Sequence, residues 1–296
     1  MEDGHGEQPR LEPLRGRRVV SLALNVPGPV AAARLHRLGA EVVKVEPPGG
    51  DPLAGFAPGW YRALTQGQHL LRLDLKSAEG RMELDELLGS ADLLLTAQRP
   101  SALGRLGLDR ASLRRRFPRL AQVAIVGHPA PETERPGHDL TYLAAAGLAR
   151  PPRLPPTLPV DLAGAERAVA AALALLLARD QGQEAGYAEV ALAQVAFDLA
   201  EPLRQGLTAP GGLLGGGLAF YRFYRASDGW VALAALEPRF AARLKEELAL
   251  TRGDARELEA LFARRPAAEW QAWAEARDLP LVALPDVQGE PPGFTA

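Results

Sequence analysis

The residues best suited to chemistry are His138 and Asp139, in the run Pro136-Gly137-His138-Asp139-Leu140, together with Asp161 and the Glu237 of Leu236-Glu237-Pro238. Each stands where a strand-like or loop-like stretch gives way to a helical one. An imidazole can take a proton from carbon near neutral pH, and a carboxylic acid kept protonated by burial can return one. A carboxylate can instead attack an acyl group and hold it covalently. Simpler roles compete for the same residues. Asp139 and Asp161 both precede helical patterns and would serve equally as N-caps, and an acid at Glu237 suits the first turn of a helix. Arg99 and Arg105 follow a strand-like run, where a phosphate could be held, although they would also suit solvent in a chain whose Arg far outnumber its Lys.

The elements that must position these groups alternate along the chain. Arg18 to Leu24 and Glu41 to Val45 read as strands around a helical pattern from Pro27 to Leu38. Ala78 to Leu88 reads as helix, Ala91 to Leu95 as strand, Ser112 to Phe117 as helix and Ala121 to Val126 as strand. This βαβ alternation predicts an α/β fold: an open, mostly parallel sheet of Rossmann-like units, with ligands at the carboxyl ends of its strands. Asp139 to Gly147 reads as a helix capped by Asp139. Asp161 opens a long helix, Leu162 to Arg179, followed by a strand over Gly186 to Leu192 and a helix over Gln194 to Gln205. The prolines between Pro151 and Pro159 suggest a boundary. Residues 1–150 are then a large α/β domain, 151–215 a linker and long-helix region, and 216–296 a smaller α+β domain. In that last part Phe220 to Arg225 and Trp230 to Ala234 form a hairpin across Asp228-Gly229, and three helices precede a strand at Leu281 to Leu284. The five glycines between Pro210 and Gly217 suggest a mobile segment. They do not follow a strand and open a helix in the dinucleotide-binding order.

Composition removes several alternatives. The net charge of −2 gives no reason to expect nucleic acid as a partner. With no cysteine there is no disulfide and no thiolate chemistry, and the scattered histidines show no metal-binding spacing. Met1 to Arg17 lacks the apolar core of a signal peptide. The most apolar stretch, Ala168 to Ala178, is too short to span a bilayer. A cytoplasmic protein that does not enter a membrane is expected.

Several segments, taken in order, resemble the class III CoA-transferase family, which includes the 2-methylacyl-CoA racemases. They are Leu14-Arg15-Gly16-Arg17-Arg18-Val19-Val20, Pro27-Gly28-Pro29, the run from Leu38 through Lys44-Val45-Glu46 to Pro48, and Leu73-Asp74-Leu75-Lys76. Arg99-Pro100, Arg105-Leu106-Gly107-Leu108, Pro136 to Leu140, Asp161-Leu162-Ala163-Gly164 and Asp228-Gly229-Trp230-Val231 follow. His138-Asp139 and Ala235-Leu236-Glu237-Pro238 lean towards the racemase branch. The resemblance implies that His138 and Asp161 form an opposed acid/base pair, with Glu237 orienting the imidazole. In a transferase, Asp139 would be the attacking carboxylate. It further implies an acyl-CoA substrate, with coenzyme A held near Lys44, Arg99, Arg105 and Leu106 and no tightly bound cofactor. The expected assembly is a homodimer of two chains interlocked like links, with the 162–179 helix leaving one domain to wrap the partner. Thr65-Gln66-Gly67-Gln68-His69 stands where the family has a basic segment, and Ala97 where it has asparagine. A binding or assembly protein that has lost tight CoA affinity is the alternative these departures suggest.

Overall fold

Strands buried on both faces need apolar side chains on both, and the short runs RVVS, LLLT and AQVAIV answer that need. In the computed structural model, which describes residues 11–285, they become β1 (Arg18–Ser21), β4 (Leu93–Thr96) and β5 (Ala121–Val126) of a six-stranded parallel sheet. β2 (Glu41–Glu46), β3 (His69–Arg72) and β6 (Tyr187–Ala191) complete it. The order is β3-β2-β1-β4-β5-β6, so the winding reverses between β1 and β4. Helix α1 (Pro27–Arg37) follows β1, α2 (Pro52–Phe56) and α3 (Pro58–Thr65) follow β2, and α4 (Ala78–Gly89) follows β3. After β4 come α5 (Pro100–Arg105) and α6 (Arg110–Arg116), after β5 come α7 (Asp139–Ala145) and α8 (Pro159–Asp180), and after β6 comes α9 (Leu192–Leu199).

Alternate strand residues feed two separate apolar layers. Val19, Val42, Leu93 and Val123 pack with Leu35 of α1, Ala168 and Ala172 of α8 and Val195 of α9. Val20, Val43 and Leu94 pack with Leu84 and Leu88 of α4, Leu103 of α5 and Leu113 of α6.

The chain divides into two compact units after Ala200, which differs from a break in the 151–159 segment. The reason lies in α8, which buries Ala165, Ala168, Ala172 and Leu176 in the first unit's own core. The 151–159 segment is thus a connection inside one unit. Helix α8 also begins two residues before Asp161, with Pro159 in the first turn, where its missing N–H costs nothing. The helix expected over 194–205 is interrupted at Ala200, because Pro202 cannot continue the preceding turn.

In the second unit, α10 (Glu201–Arg204) leads to β7 (Tyr221–Arg225) and β8 (Gly229–Ala234). Helices α11 (Pro238–Glu247), α12 (Ala255–Phe262) and α13 (Ala267–Glu275) follow, and β9 (Leu281–Pro285) pairs antiparallel with β8. Tyr224, Val231 and Leu233 share a core with Leu258, Phe262 and Trp270. The glycine run ahead of β7 is wound on itself: a Cβ at Gly215 would lie 1.8 Å from the Ala209 carbonyl oxygen. Among the described residues, no helix is long and apolar enough to cross a membrane.

Candidate active site

The carboxyl ends of the parallel strands open into a cavity of about 270 Å³. Leu24 and Asn25 come from beyond β1, Ala97, Gln98 and Arg99 from beyond β4, Gly127 from beyond β5 and Leu192 from the start of α9. This is the reversal point of the strand order, where open α/β sheets leave a crevice because neighbouring connections depart to opposite faces. Gly137, His138, Tyr142, Asp161 and Arg135 close the remaining wall.

His138 is the N-cap of α7, its backbone N–H donating to Thr141 Oγ1 at 3.0 Å. Asp139 is therefore the first helical residue and not the cap of its own helix. It caps the next one: Oδ1 accepts from the backbone N–H of Val160 at 2.8 Å and of Asp161 at 2.9 Å. Two amides at the positive end of α8 thus meet its carboxylate, in a site only 3% exposed. Asp161 sits in the first turn of α8 beside that carboxylate. Burial first, and then the charge of Asp139, push its carboxyl up from the usual range to about 6. Burial, with the neighbouring Asp139 adding to it, favours the proton on Asp161.

The opposite wall is fixed by a second buried carboxylate. Asp51 Oδ1 accepts from the N–H of Asn25 and of Leu53, both at 3.0 Å, and Oδ2 receives Lys44 Nζ at 2.8 Å. Lys44 also donates to the Ala23 carbonyl at 3.2 Å. The ion pair therefore grips both sides of Leu24 and holds Asn25 in the left-handed region at φ 66. Glu46 lies 3.4 Å from the ammonium and accepts from the Tyr61 hydroxyl.

This corrects the expectation for Lys44. Its side chain is fully buried and committed within the protein, so it shapes the cavity wall and offers no charge to a phosphate. Arg99 lines the cavity and is exposed. Arg105 and Leu106 lie at the far end of α5, the first exposed and the second packed against the sheet's core. Glu134 accepts from the N–H and hydroxyl of Ser101 at 2.8 and 2.9 Å, tying the loop before His138 to α5. Gln66 is exposed at the end of α3, and Gln68 donates to the Leu64 carbonyl at 2.7 Å. Glu237 belongs to the second unit, exposed at the N-cap of α11. Among the described residues, no group of three or more His, Asp or Glu is arranged to hold a metal ion. Sequence reasoning missed Asp51, Arg135 and Tyr142. Only Tyr142 left a signal, being four residues after His138 and hence one helical turn along the same face.

Three comparisons place this geometry among known proteins. The chain is 34% identical over 206 residues to the probable fatty acyl-CoA transferase Rv3272 of Mycobacterium tuberculosis, covering 64% of this chain and 52% of that one. It is 31% identical over 277 residues to the alpha-methylacyl-CoA racemase of Mus musculus, covering 87% and 68%. The crystal structure of Rv3272 superposes with a TM-score of 0.80 at 29% identity, covering 91% of this chain and 83% of that one. The chain spans about half the length of the Rv3272 relative in the sequence match. The model of CoA-transferase family III matches residues 14–289, and with it the chain belongs to that family.

Proposed function

We propose that this protein moves the α-proton of a 2-methylacyl-CoA thioester, inverting the configuration at that carbon. The carrying observation is that Asp161, pushed up to about 6, lines the same cavity as His138. In one direction the C–H bond breaks, its proton passes to the His138 imidazole and its electron pair delocalises into the thioester as an enolate. Asp161 then gives its proton to the opposite face and the C–H bond re-forms. No electrons are gained or lost. In the reverse direction Asp161 is the base and His138 the acid. A cavity of this size suits the acyl end of the substrate, while the rest of coenzyme A lies outside it, near Arg99 and Arg105. The assembly we propose is a homodimer, which light scattering at micromolar concentration tests; a stable folded monomer would refute it.

Isobutyryl-CoA in heavy water should gain deuterium at C2 without added cofactor. His138→Ala should abolish the exchange while calorimetry shows CoA binding nearly unchanged. Bound CoA with no exchange on any acyl-CoA tested would remove this reading.

A CoA-transferase acting through Asp139 is the second reading, favoured by the similarity to Rv3272. It requires a hydroxylamine-sensitive acyl adduct at Asp139, visible by mass spectrometry under turnover. The burial of Asp139 and the two amides on Oδ1 weigh against it, since burial limits the approach of an acyl carbon and the amides lower the nucleophilicity of the carboxylate. The Gln66 and Gln68 substitutions support a non-catalytic binding role only if calorimetry finds no CoA binding.

A further inference from the structure

The least explained group in the cavity wall is the Tyr142 hydroxyl. Tyr142 is 3% exposed, yet its hydroxyl oxygen is not among the fully buried polar atoms that lack a partner, so it opens to the cavity that the residue lines. Its ring is satisfied, packing edge-on to His128 at 5.4 Å and 66°. Among the described residues the hydroxyl has no protein partner, and the residue borders the cavity.

The wall is shaped around this phenol. A Cβ on Gly127 would fall 2.6 Å from the hydroxyl oxygen, and one on Gly137 would fall within 2.6 Å of the hydroxyl and of two ring carbons. Neither glycine has a positive φ, so what they provide here is room for the close approach of Tyr142. The seat lies one helical turn after His138 on the same helix. Burial and the charge of Asp161 both raise the phenol above its usual pKa, so it stays a neutral donor across the working range.

We propose that the Tyr142 hydroxyl is a further substrate-contacting group, donating a hydrogen bond to the thioester carbonyl oxygen. That oxygen becomes the enolate oxygen, and a donor fixed in advance favours it more strongly than the neutral carbonyl. The phenol keeps its proton throughout, so no bond to oxygen is made or broken by Tyr142. This inference rests on the α-proton reading above.

The test compares the wild type with Tyr142→Phe in deuterium exchange on isobutyryl-CoA, with CoA calorimetry and thermal melting alongside. Phenylalanine keeps the ring packing against His128, so an unchanged melting temperature is expected. Exchange should fall about 10²-fold with CoA affinity within twofold. Exchange within twofold of wild type would overturn the inference, as would a loss explained entirely by weaker CoA binding. If Tyr142→Phe melts lower, Gly127→Ala carries the test, because its Cβ displaces the hydroxyl and leaves the tyrosine in place. It too should lose exchange and keep CoA, and full activity there overturns the inference. A wild type that binds CoA but exchanges nothing would fell the α-proton reading itself, a result distinct from an active Tyr142→Phe.

Discussion

Two buried aspartates, Asp51 and Asp139, each anchor backbone that borders one cavity, the first at Asn25 and the second at Asp161. Both are 3% exposed, and in both Oδ1 accepts two backbone amides that fix the start of a helix or a tight turn. They differ in what balances their charge. Asp51 has the Lys44 ammonium at 2.8 Å, and that corner of the protein is electrostatically closed. Among the described residues Asp139 has no such cation, only amide dipoles and a second carboxyl next to it. The uncompensated field is relieved by Asp161, which tends to keep its proton. A buried acid with a cation makes structure. One without a cation adds to the burial that keeps a proton on its neighbour.

The largest effect expected from this contrast is at the closed corner. Lys44→Met strands the Asp51 carboxylate and should cost about 3–5 kcal/mol, read by denaturant unfolding. The double variant Lys44→Met/Asp51→Leu should recover a substantial part of it, and a double variant no better than the single would show that the pair is not the source. Next comes Asp139→Ala, which leaves two amides of α8 unmet and should cost about 2–3 kcal/mol, with the melting transition as readout.

A smaller effect, of opposite sign, is expected at Asp161. Its carboxyl titrates higher in the folded state than in the unfolded one, so the folded state binds more protons between pH about 4 and 6 and stability falls as pH rises through that window. Asp161→Asn should therefore gain about 1–3 kcal/mol at pH 7 and almost nothing at pH 4. Equal gains at both pH values would contradict the account. The same protonation predicts that turnover in the direction using Asp161 as acid declines as pH rises past about 6. Glu237→Gln should be the mildest, changing stability by less than about 0.5 kcal/mol, as exposed substitutions do.

What the sequence made legible follows the same physics. β4 and β5 are uninterrupted apolar runs because helices cover both faces, so their pattern announces them. β3 is a four-residue edge strand, mostly exposed, and carries too little apolar signal to be read. His138 and Asp161 were recognisable by residue type and motif, and the structure lines one cavity with both. The capping of α8 by Asp139 was not recognisable, because its partners lie 21 and 22 residues away and local pattern speaks only for the helix an aspartate begins. Lys44 shows the opposite failure. A lysine in a ligand-like motif suggests a surface charge, while the acid that draws it inward is seven residues further on, beyond a turn whose geometry the sequence does not state.

The account turns on the proton that burial and the neighbouring Asp139 keep on Asp161. Carboxyl carbon chemical shifts followed against pH, with Asp161 assigned by comparison with Asp161→Asn, measure it directly. The wild-type Asp161 carboxyl should titrate near 6. In Asp139→Asn, whose side-chain oxygen can still accept both amides of α8, the midpoint should move down yet stay above the usual carboxylate range, because burial is the larger cause. A wild-type midpoint near 4, or one that Asp139→Asn leaves unmoved, would contradict the account.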